Sequence, residues 1–562
     1  MMSSRRSLVA ALFLGASVAS AQLLPGNYTI DPAGPAAPPN FQTWAAAAAA
    51  LATGVSGPGN LNFQVASVTF NETVTLGPVP GTNATTQVNF VAVGAPAIID
   101  ATGLPVPSKG LVLLNQVSYL NFENIEIRGF SQYGLHLFGV ASGTPPNRAT
   151  FCTFKKILVD APGTSSTAVN AIRNENAWDC TFEDCTFRGG GYTGYSQQIA
   201  RNSYKRCKFD GKNLATNVLA PFNTNDADNL WENCFFHDCG PSGTGVNVDL
   251  SSYGNMFWHN TIIVNTSARA LHAGGCCAWS RANSFRNNIV INTGTGVAVR
   301  YGGTTAMPPL LEFNDLDNNI YYAPNGNACA WERGVAPGFT VGTLAQWQAF
   351  LAANPALIPP AGGTSWDPNS FEGDPSLVSP VSPYDIRLLG LSPCENTGTT
   401  TYIAGPWITY PAYSPADDFE KDPRPSTGVD IGADEALVKL LGSGPGQPGT
   451  TINFQLVATT DPNLTYYMAS SLGAGPIPID TRFINLSPDV IFILSLNGVL
   501  PSIFSNYANV LSAIGENTAQ LNLPAVMALA GTTIHTGFVT IQGGAPSGIK
   551  SISTTYIFTV IP

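Results

Sequence analysis

The chain has 562 residues, of which 44% are hydrophobic and only 11% charged, with 56 Gly, 43 Pro and a formal net charge of −11. That hydrophobic fraction excludes a disordered chain, and the Gly/Pro content favours turns and buried strands over long surface helices. The acidic balance argues against general nucleic-acid binding.

In chain order, Arg5-Arg6, the apolar run from Leu8 to Ala19 and the Ala19-Ser20-Ala21 site before Gln22 read as a secretory signal over residues 1–21. The apolar run is too short to span a membrane, and no later stretch reaches that length, so a secreted, extracellular protein without a transmembrane segment is expected. Next, Asn40-Phe41-Gln42-Thr43-Trp44 leads into an alanine run and Gly54. This predicts one short helix with Thr43 or Asn40 at its start and Gly54 as its stop, placed to cap an open strand edge.

From about Asn62 to Tyr322 a phrase repeats. Lys205-Arg206-Cys207-Lys208-Phe209 returns as Glu232-Asn233-Cys234-Phe235-Phe236, His259-Asn260-Thr261-Ile262-Ile263 and Arg286-Asn287-Asn288-Ile289-Val290. Cys207, Cys234, Thr261 and Asn288 thus fall in a column of period 27, extended by Ile125, Ile157, Cys185 and Asn319 at steps of 22 to 32. Short β-branched and aromatic phrases bounded by Gly, Asn, Asp and Thr are strands, and one such coil cannot bury its apolar face alone. The predicted fold class is all-β, a right-handed parallel β-helix over residues 22–437. A neighbouring column, Asn233, Asn260, Asn287 and Asn318, fits amides stacked at a turn. A leucine-rich repeat would need leucine spacing and helical halves that are missing.

Residues 323–394 interrupt the repeat, with Thr343-Leu344-Ala345-Gln346-Trp347 predicting a short helix over one face of the stack. Residues 438–451 read as a Gly/Pro linker. The strand-like runs of 452–562, such as Ile491-Phe492-Ile493-Leu494-Ser495-Leu496, predict a small separate β-sandwich that binds or anchors.

The ends of the repeat carry a resemblance. Gly26-Asn27-Tyr28-Thr29-Ile30-Asp31 with Asn40-Phe41-Gln42-Thr43-Trp44 and Gly54-Val55-Ser56-Gly57-Pro58 resembles the opening of bacterial secreted right-handed β-helix proteins. Asp367-Pro368-Asn369-Ser370, Gly373-Asp374-Pro375, Asp385-Ile386-Arg387-Leu388 and Ser392-Pro393 resemble their closing coils, and Arg424-Pro425 with Asp430-Ile431-Gly432-Ala433-Asp434-Glu435 their terminating motif. Over roughly residues 23–436 the chain is similar to the pectin-lyase-like superfamily, which implies enzymes on acidic polysaccharides, glycoside hydrolases, and members with no known reaction. Asn223-Thr224-Asn225-Asp226 resembles the polygalacturonase Asn-Thr-Asp loosely, no Gly-His-Gly follows, and Asp417-Asp418 has no partner at hydrolase spacing, so no catalytic residue transfers.

The site residues therefore come from strand alternation. Val246, Val248 and Leu250 inward put Asn247 and Asp249 outward, and Val297 and Val299 inward put Arg300 outward, 28 residues after His272. A β-eliminating site would take His272 as base, Arg300 as carboxylate holder and Asp249 as orienting partner, with Arg173 and His136 continuing a substrate-binding row. Lys205 and Arg206, matched by Lys155-Lys156 and flanked by Lys208 and Lys212, suggest a basic strip for an anionic glycan. The sequence fixes no cofactor. Asn225-Asp226-Ala227-Asp228-Asn229 leaves calcium open, against a plain turn, and no Cys/His spacing fits zinc.

Ten cysteines in an exported chain permit disulfides, Cys152–Cys180 being one coil apart, whereas Cys185, Cys207 and Cys234 read as reduced spacers. The expected function is an exported β-helix protein that binds an acidic polysaccharide; cleavage is left open, and an enzyme of this kind would be a polysaccharide lyase or, next, a glycoside hydrolase. The alternative is a non-catalytic surface or adhesive protein. A monomer is expected, with a polysaccharide or cell-surface glycan as partner.

Overall fold

The computed structural model describes residues 22–139, 148–221, 226–248, 252–273, 283–301, 315–331, 341–354, 367–388, 392–400, 415–421, 424, 429–435, 438–458, 460–479 and 482–562. The expected signal segment, Asp249 and Leu250 lie outside them.

Each coil of the stack has three strands, as in Thr181–Glu183, Thr186–Arg188 and Tyr192–Gln197. Parallel pairing in register with the coils before and after stacks them. The first strand of each coil belongs to a twelve-stranded sheet and the other two to a twenty-stranded one. Between first and second strands stands one residue in the left-handed region: Asn124, Lys156, Asp184, Arg206, Asn233, His259, Asn287 and Asn318, with φ from 52° to 62°. A non-glycine residue there is costly, yet its N–H stays in the ladder, as Lys156 N bonds Glu183 O (3.0 Å) and His259 N bonds Arg286 O (3.0 Å). A second left-handed corner, Tyr119, Phe151, Asp179, Arg201 and Asp228, precedes the first strands.

This register corrects the sequence columns by one residue at a single coil. Phe235, Thr261, Ile289 and Ile320 pair, so Cys234 is followed by Asn260, Asn288 and Asn319, and Asn233 by His259, Asn287 and Asn318. That step is 26 residues, and a fixed period of 27 slides past it. The corrected column explains the Cys/Asn exchange. Cys185, Cys207 and Cys234 Sγ donate to the carbonyls of Phe154, Phe182 and Tyr204, and Asn260, Asn288 and Asn319 Nδ2 to those of Trp231, Phe257 and Phe285. Those carbonyls belong to a spine of stacked rings, Tyr28, Phe63, Phe90, Phe122, Phe154, Phe182, Tyr204, Trp231, Phe257 and Phe285, with centroids 4.5–5.4 Å apart.

The eight described cysteines are buried and unbridged. Cys152 and Cys180 are neighbours, and burial, then the Cys152 thiol, pushes the Cys180 thiol well up.

Outward rows alternate in charge. One runs Glu123, Lys155, Glu183, Lys205, Glu232, Trp258, Arg286, Asp317. Another runs Asp100, Arg128, Asp160, Arg188, Asp210, His237. In-register stacking sets each side chain about 4.8 Å from its equivalents, where like charges repel, and alternation removes the conflict.

Helix α1 (Trp44–Leu51) takes Thr43 as N-cap and buries Trp44, Ala47 and Leu51 in the core of the first coils. Helix α2 (Leu344–Ala353) has a capping box at Thr343 and buries Leu344, Trp347 and Leu351 in that core, Trp347 stacking on Tyr301 at 4.4 Å. The expected helix therefore plugs the core instead of lying over a face. What covers an outer face is the segment from Phe371 to Glu435, whose Leu377, Ile386, Leu388, Ile431 and Ala433 close over Phe235, Ile263, Ile289, Ile291 and Ile320.

The expected linker begins as a strand, Val438–Ser443, paired with Thr451–Ala458. It opens a tail unit in which a four-stranded and a five-stranded antiparallel sheet enclose Leu440, Phe454, Leu456, Tyr466, Met468 and Phe538, beside a two-stranded pair, Pro476–Ile479 with Arg482–Asn485. Val490–Leu496, read as strand-like, is helix α3, because Asp489 caps it by accepting from Phe492 N and local capping outweighs β-propensity. No described helix is long and apolar enough to cross a membrane.

Candidate functional site

One outward row breaks the alternation. The third strands align Val112, His136, Arg173, Tyr195 and Ala220, and Asn247, His272, Arg300 and Ala330. Leu219 pairs with Val246, so Ala220 and Asn247 join the two runs. The row sets His136 beside Arg173 and His272 beside Arg300, and it contains no carboxylate. His136 to Arg300 spans six coil steps, about 29 Å at about 4.8 Å each. Beside it runs Lys109, Tyr133, Asn170, Tyr192, Asn217, Thr244 and Arg269.

At its early end the row carries a closed network. His136 Nε2 lies 2.9 Å from Glu175 Oε2 and its Nδ1 3.4 Å from Lys109 Nζ. Arg173 Nη2 donates to Glu175 Oε1 at 2.6 Å, and its guanidinium lies over Tyr133 (4.8 Å) and Tyr195 (4.4 Å). Burial pushes the Glu175 carboxyl up, but the bonds and charges of His136 and Arg173 outweigh it and hold it at about 2. Burial lowers the His136 pKa, more than the Glu175 bond raises it, with Lys109 and Arg173 adding to the fall. The imidazole is thus neutral at pH 7, with its proton on Nε2 because Lys109 donates to Nδ1. Both nitrogens are engaged, so His136 positions Glu175 and does not serve as a base. The network carries one net positive charge among three tyrosine rings.

At its later end His272 Nδ1 lies 2.7 Å from Asn247 Oδ1, beside Arg300 in register. The Asn247 Oδ1 only accepts, so His272 donates from Nδ1. Asn247 is thus the described side chain that orients the His272 ring, and Asp249 lies outside the described residues. His272 and Asn247 are buried, 1% and 5% exposed, so the row is recessed and not an open solvated face.

Other expectations fail for stated reasons. Arg206 is a left-handed corner residue whose guanidinium is taken by Asp184 (2.8 Å), Asp417 (2.8 Å) and Glu183, binding the closing segment to the stack. Lys205 faces Glu232 at 3.8 Å, Lys155 faces Glu183 at 3.9 Å, and Lys212 reaches Asp160 at 2.7 Å. The basic strip is therefore one partner of an alternating ladder. In the calcium candidate, Asp226 is buried and accepts from Ser196 Oγ and Ile199 N, while Asn229 belongs to an inner amide ladder with Asn202 and Asn255. Burial, partly offset by those bonds, pushes the Asp226 carboxyl up to about 7. Asp226 and Asn229 therefore turn inward and are taken up by the stack, and Asn225 lies outside the described residues. Among the described residues, carboxylates or imidazoles do gather at Asp210, His237 and Asp238, and at Asp418, Glu420 and Asp434. The first group already uses Arg188 on Asp210 and Tyr384 on Asp238.

Glu175 and the tyrosines were missed from sequence. The usable signal was the two-residue alternation from Arg173 to Glu175.

The fold class follows from this register: the stack is a right-handed parallel β-helix. Residues 110–307 match the family model of a right handed beta helix region. No curated protein sequence matches the chain. Among solved structures the chain is similar to an alginate lyase from Paenibacillus sp. str. FPU-7, at 12% identity over 59% of this chain and 96% of that one, TM-score 0.33. It is also similar to a tailspike protein mutant of E. coli bacteriophage HK620 in complex with a pentasaccharide, at 11% identity over 92% and 90%, TM-score 0.37. A third is the Dettilon tailspike protein, at 9% over 91% and 89%, TM-score 0.27. The assignment of fold rests on the strand register and the family match.

Proposed function

We propose that the protein binds an acidic polysaccharide along the row from Lys109 and His136 to Arg300 and cleaves it by β-elimination at His272. The observation that carries this reading is the row itself: Arg173 and Arg300, each with an imidazole beside it in register, stand without an in-row carboxylate, whereas the rows through Lys155 and Arg188 alternate in charge. An anionic chain laid along the row would meet both guanidinium groups, which bind carboxylates in two-pronged fashion. Tyr133, Tyr192 and Tyr195 supply flat faces for sugar rings.

At the later end, Arg300 would neutralise a uronate carboxylate, which acidifies the proton beside it. His272 Nε2 takes that proton, the C–H electron pair becomes the new double bond, and the C–O bond to the next sugar breaks with its pair staying on the departing oxygen, which takes a proton from water. Asn247 holds the imidazole in the required tautomer.

The second reading is a non-catalytic glycan-binding or adhesive surface. The His136–Glu175–Arg173 network favours it, since the Glu175 carboxylate already takes His136 and Arg173 without a substrate. The purified protein is incubated with pectate, alginate, chondroitin and neutral glycans, and ultraviolet absorbance and reducing ends are followed. Absorbance that vanishes in His272→Ala and Arg300→Ala is the expected result. Reducing ends without absorbance would make it a hydrolase, and binding without either would establish the adhesive reading.

A further inference from the structure

Beyond the row, each coil turns at Asn176 and Gln198, both with φ near 55°, onto a narrow side. Here Thr150 pairs with Trp178, and bridges carry the line through Ala200 and Ala227 to Tyr253. This side bears an unusual grouping. The guanidinium carbon of Arg148 lies 3.3 Å from the centre of the Trp178 ring, and that of Arg201 lies 4.9 Å from it.

The two arginines differ in one respect. Arg201 holds Asp179 through two bonds of 2.7 Å. Arg148 reaches no carboxylate among the described residues, and its buried Nε has no hydrogen-bond partner. Arg128, Arg188 and Arg206 on neighbouring faces each reach a carboxylate. Burial, then the charge of Arg201, weakens the hold of Arg148 on its proton, so an anion arriving there would relieve a repulsion already present. Next to this pair, Phe151 is 46% exposed and stacks on Tyr119 at 5.1 Å, and Tyr253 is 39% exposed further along the line. Exposed rings beside a cation without a carboxylate suit a ligand with apolar faces and negative charge.

We propose that Arg148, Trp178 and Arg201 form a second subsite for an acidic sugar chain, in which Arg148 takes a carboxylate or sulfate and Phe151 packs on a sugar face. Trp178 is five residues beyond Arg173 in the same coil, at most about 18 Å of extended chain away, so one oligosaccharide can engage both. The class of ligand rests on the function proposed above; the position does not.

The test is calorimetric titration of the full chain with uronate and sulfated oligosaccharides of increasing length. It compares the unmodified protein with Arg148→Gln and Arg173→Gln, with circular dichroism and thermal melts as the check of folding. Arg148→Gln is expected to weaken long oligosaccharides about tenfold and leave the shortest unchanged, while Arg173→Gln weakens all lengths. Whether uronates or sulfated chains show the length effect identifies the anion. Unaltered binding by Arg148→Gln at every length, with loss in Arg173→Gln, would overturn the second subsite and leave the row standing. No binding of any acidic chain to the unmodified protein would overturn both, and equal binding of a neutral chain would overturn the role of the anion. Should Arg148→Gln fail to fold, Trp178→Phe takes its place, with a smaller length-dependent loss expected and no loss counting against the subsite.

Discussion

Asn288 occupies four hydrogen-bonding groups at once. Its Oδ1 accepts from Asn260 N and Nδ2, and its Nδ2 donates to Phe257 O and Asn319 Oδ1. Asn288→Ala strands buried backbone groups and should cost about 3 kcal/mol. Asn288→Cys should cost less, because a thiol at this corner already serves the same carbonyl in Cys207 and Cys234. Denaturant midpoints of the two variants give the order.

Acid sensitivity at this scale has worked signs. The Glu175 carboxyl, depressed to about 2, contributes stability that is complete above its unfolded pKa near 4.5 and is lost as pH falls through about 2. His136, also depressed, adds a loss that begins earlier, below its unfolded value near 6.5, because only the unfolded state then takes up the proton. Asp226, raised to about 7, works oppositely, and its contribution disappears as pH climbs from about 4 to about 7. Asp226→Asn should therefore flatten the fall in melting temperature over that interval, while Glu175→Gln should flatten the loss below pH 4.5.

The sequence made the corner column legible, since Cys and Asn recur there. Which of Asn260 and Thr261 stood in it was not legible, because one short loop shifts the period by one and only backbone pairing counts residues.

Among the strands, alternation of charge is an interaction between elements, invisible within any one of them. Lys155-Lys156 and Lys205-Arg206 were legible as matching positions, but Glu183-Asp184 between them was not read as their counterpart, and a neutralised ladder looked like a basic strip. Glu183→Lys would stack Lys155, residue 183 and Lys205 as three like charges and release a bond to Arg206. A loss of about 1–2 kcal/mol is expected. It should shrink at high salt, which a cavity or a packing fault would not do. Half of the candidate site was legible by the same spacing: His136, Arg173, His272 and Arg300 share one row. Asn247 and Glu175 were not assigned roles, because the alternation was followed for charged residues around His272 only.

At the scale of the whole molecule, a parallel stack has two open ends and an apolar flank, and separate segments cover them. Helix α2 closes one end through Trp347, and the segment to Glu435 closes the flank. Arg424 joins that segment to the corner, bonding Asn233 Oδ1, Gly432 O and Glu435. Trp347→Ala should cost about 3–5 kcal/mol and expose a strand edge, so soluble aggregates at moderate temperature are expected by light scattering before the tail unit melts. The helices at 43–54 and 343–353 were legible through their caps, whereas the covering role of 371–435 depends on contacts far apart in sequence.

The alternating ladders also set the step by which such a molecule can change length. Removing the coil of Glu183 and Arg188 would bring Lys155 against Lys205 and Asp160 against Asp210, while removing the next coil as well would set Lys155 against Glu232. Over these coils, shortened or lengthened forms of the stack should therefore be tolerated better when turns are lost or gained in pairs.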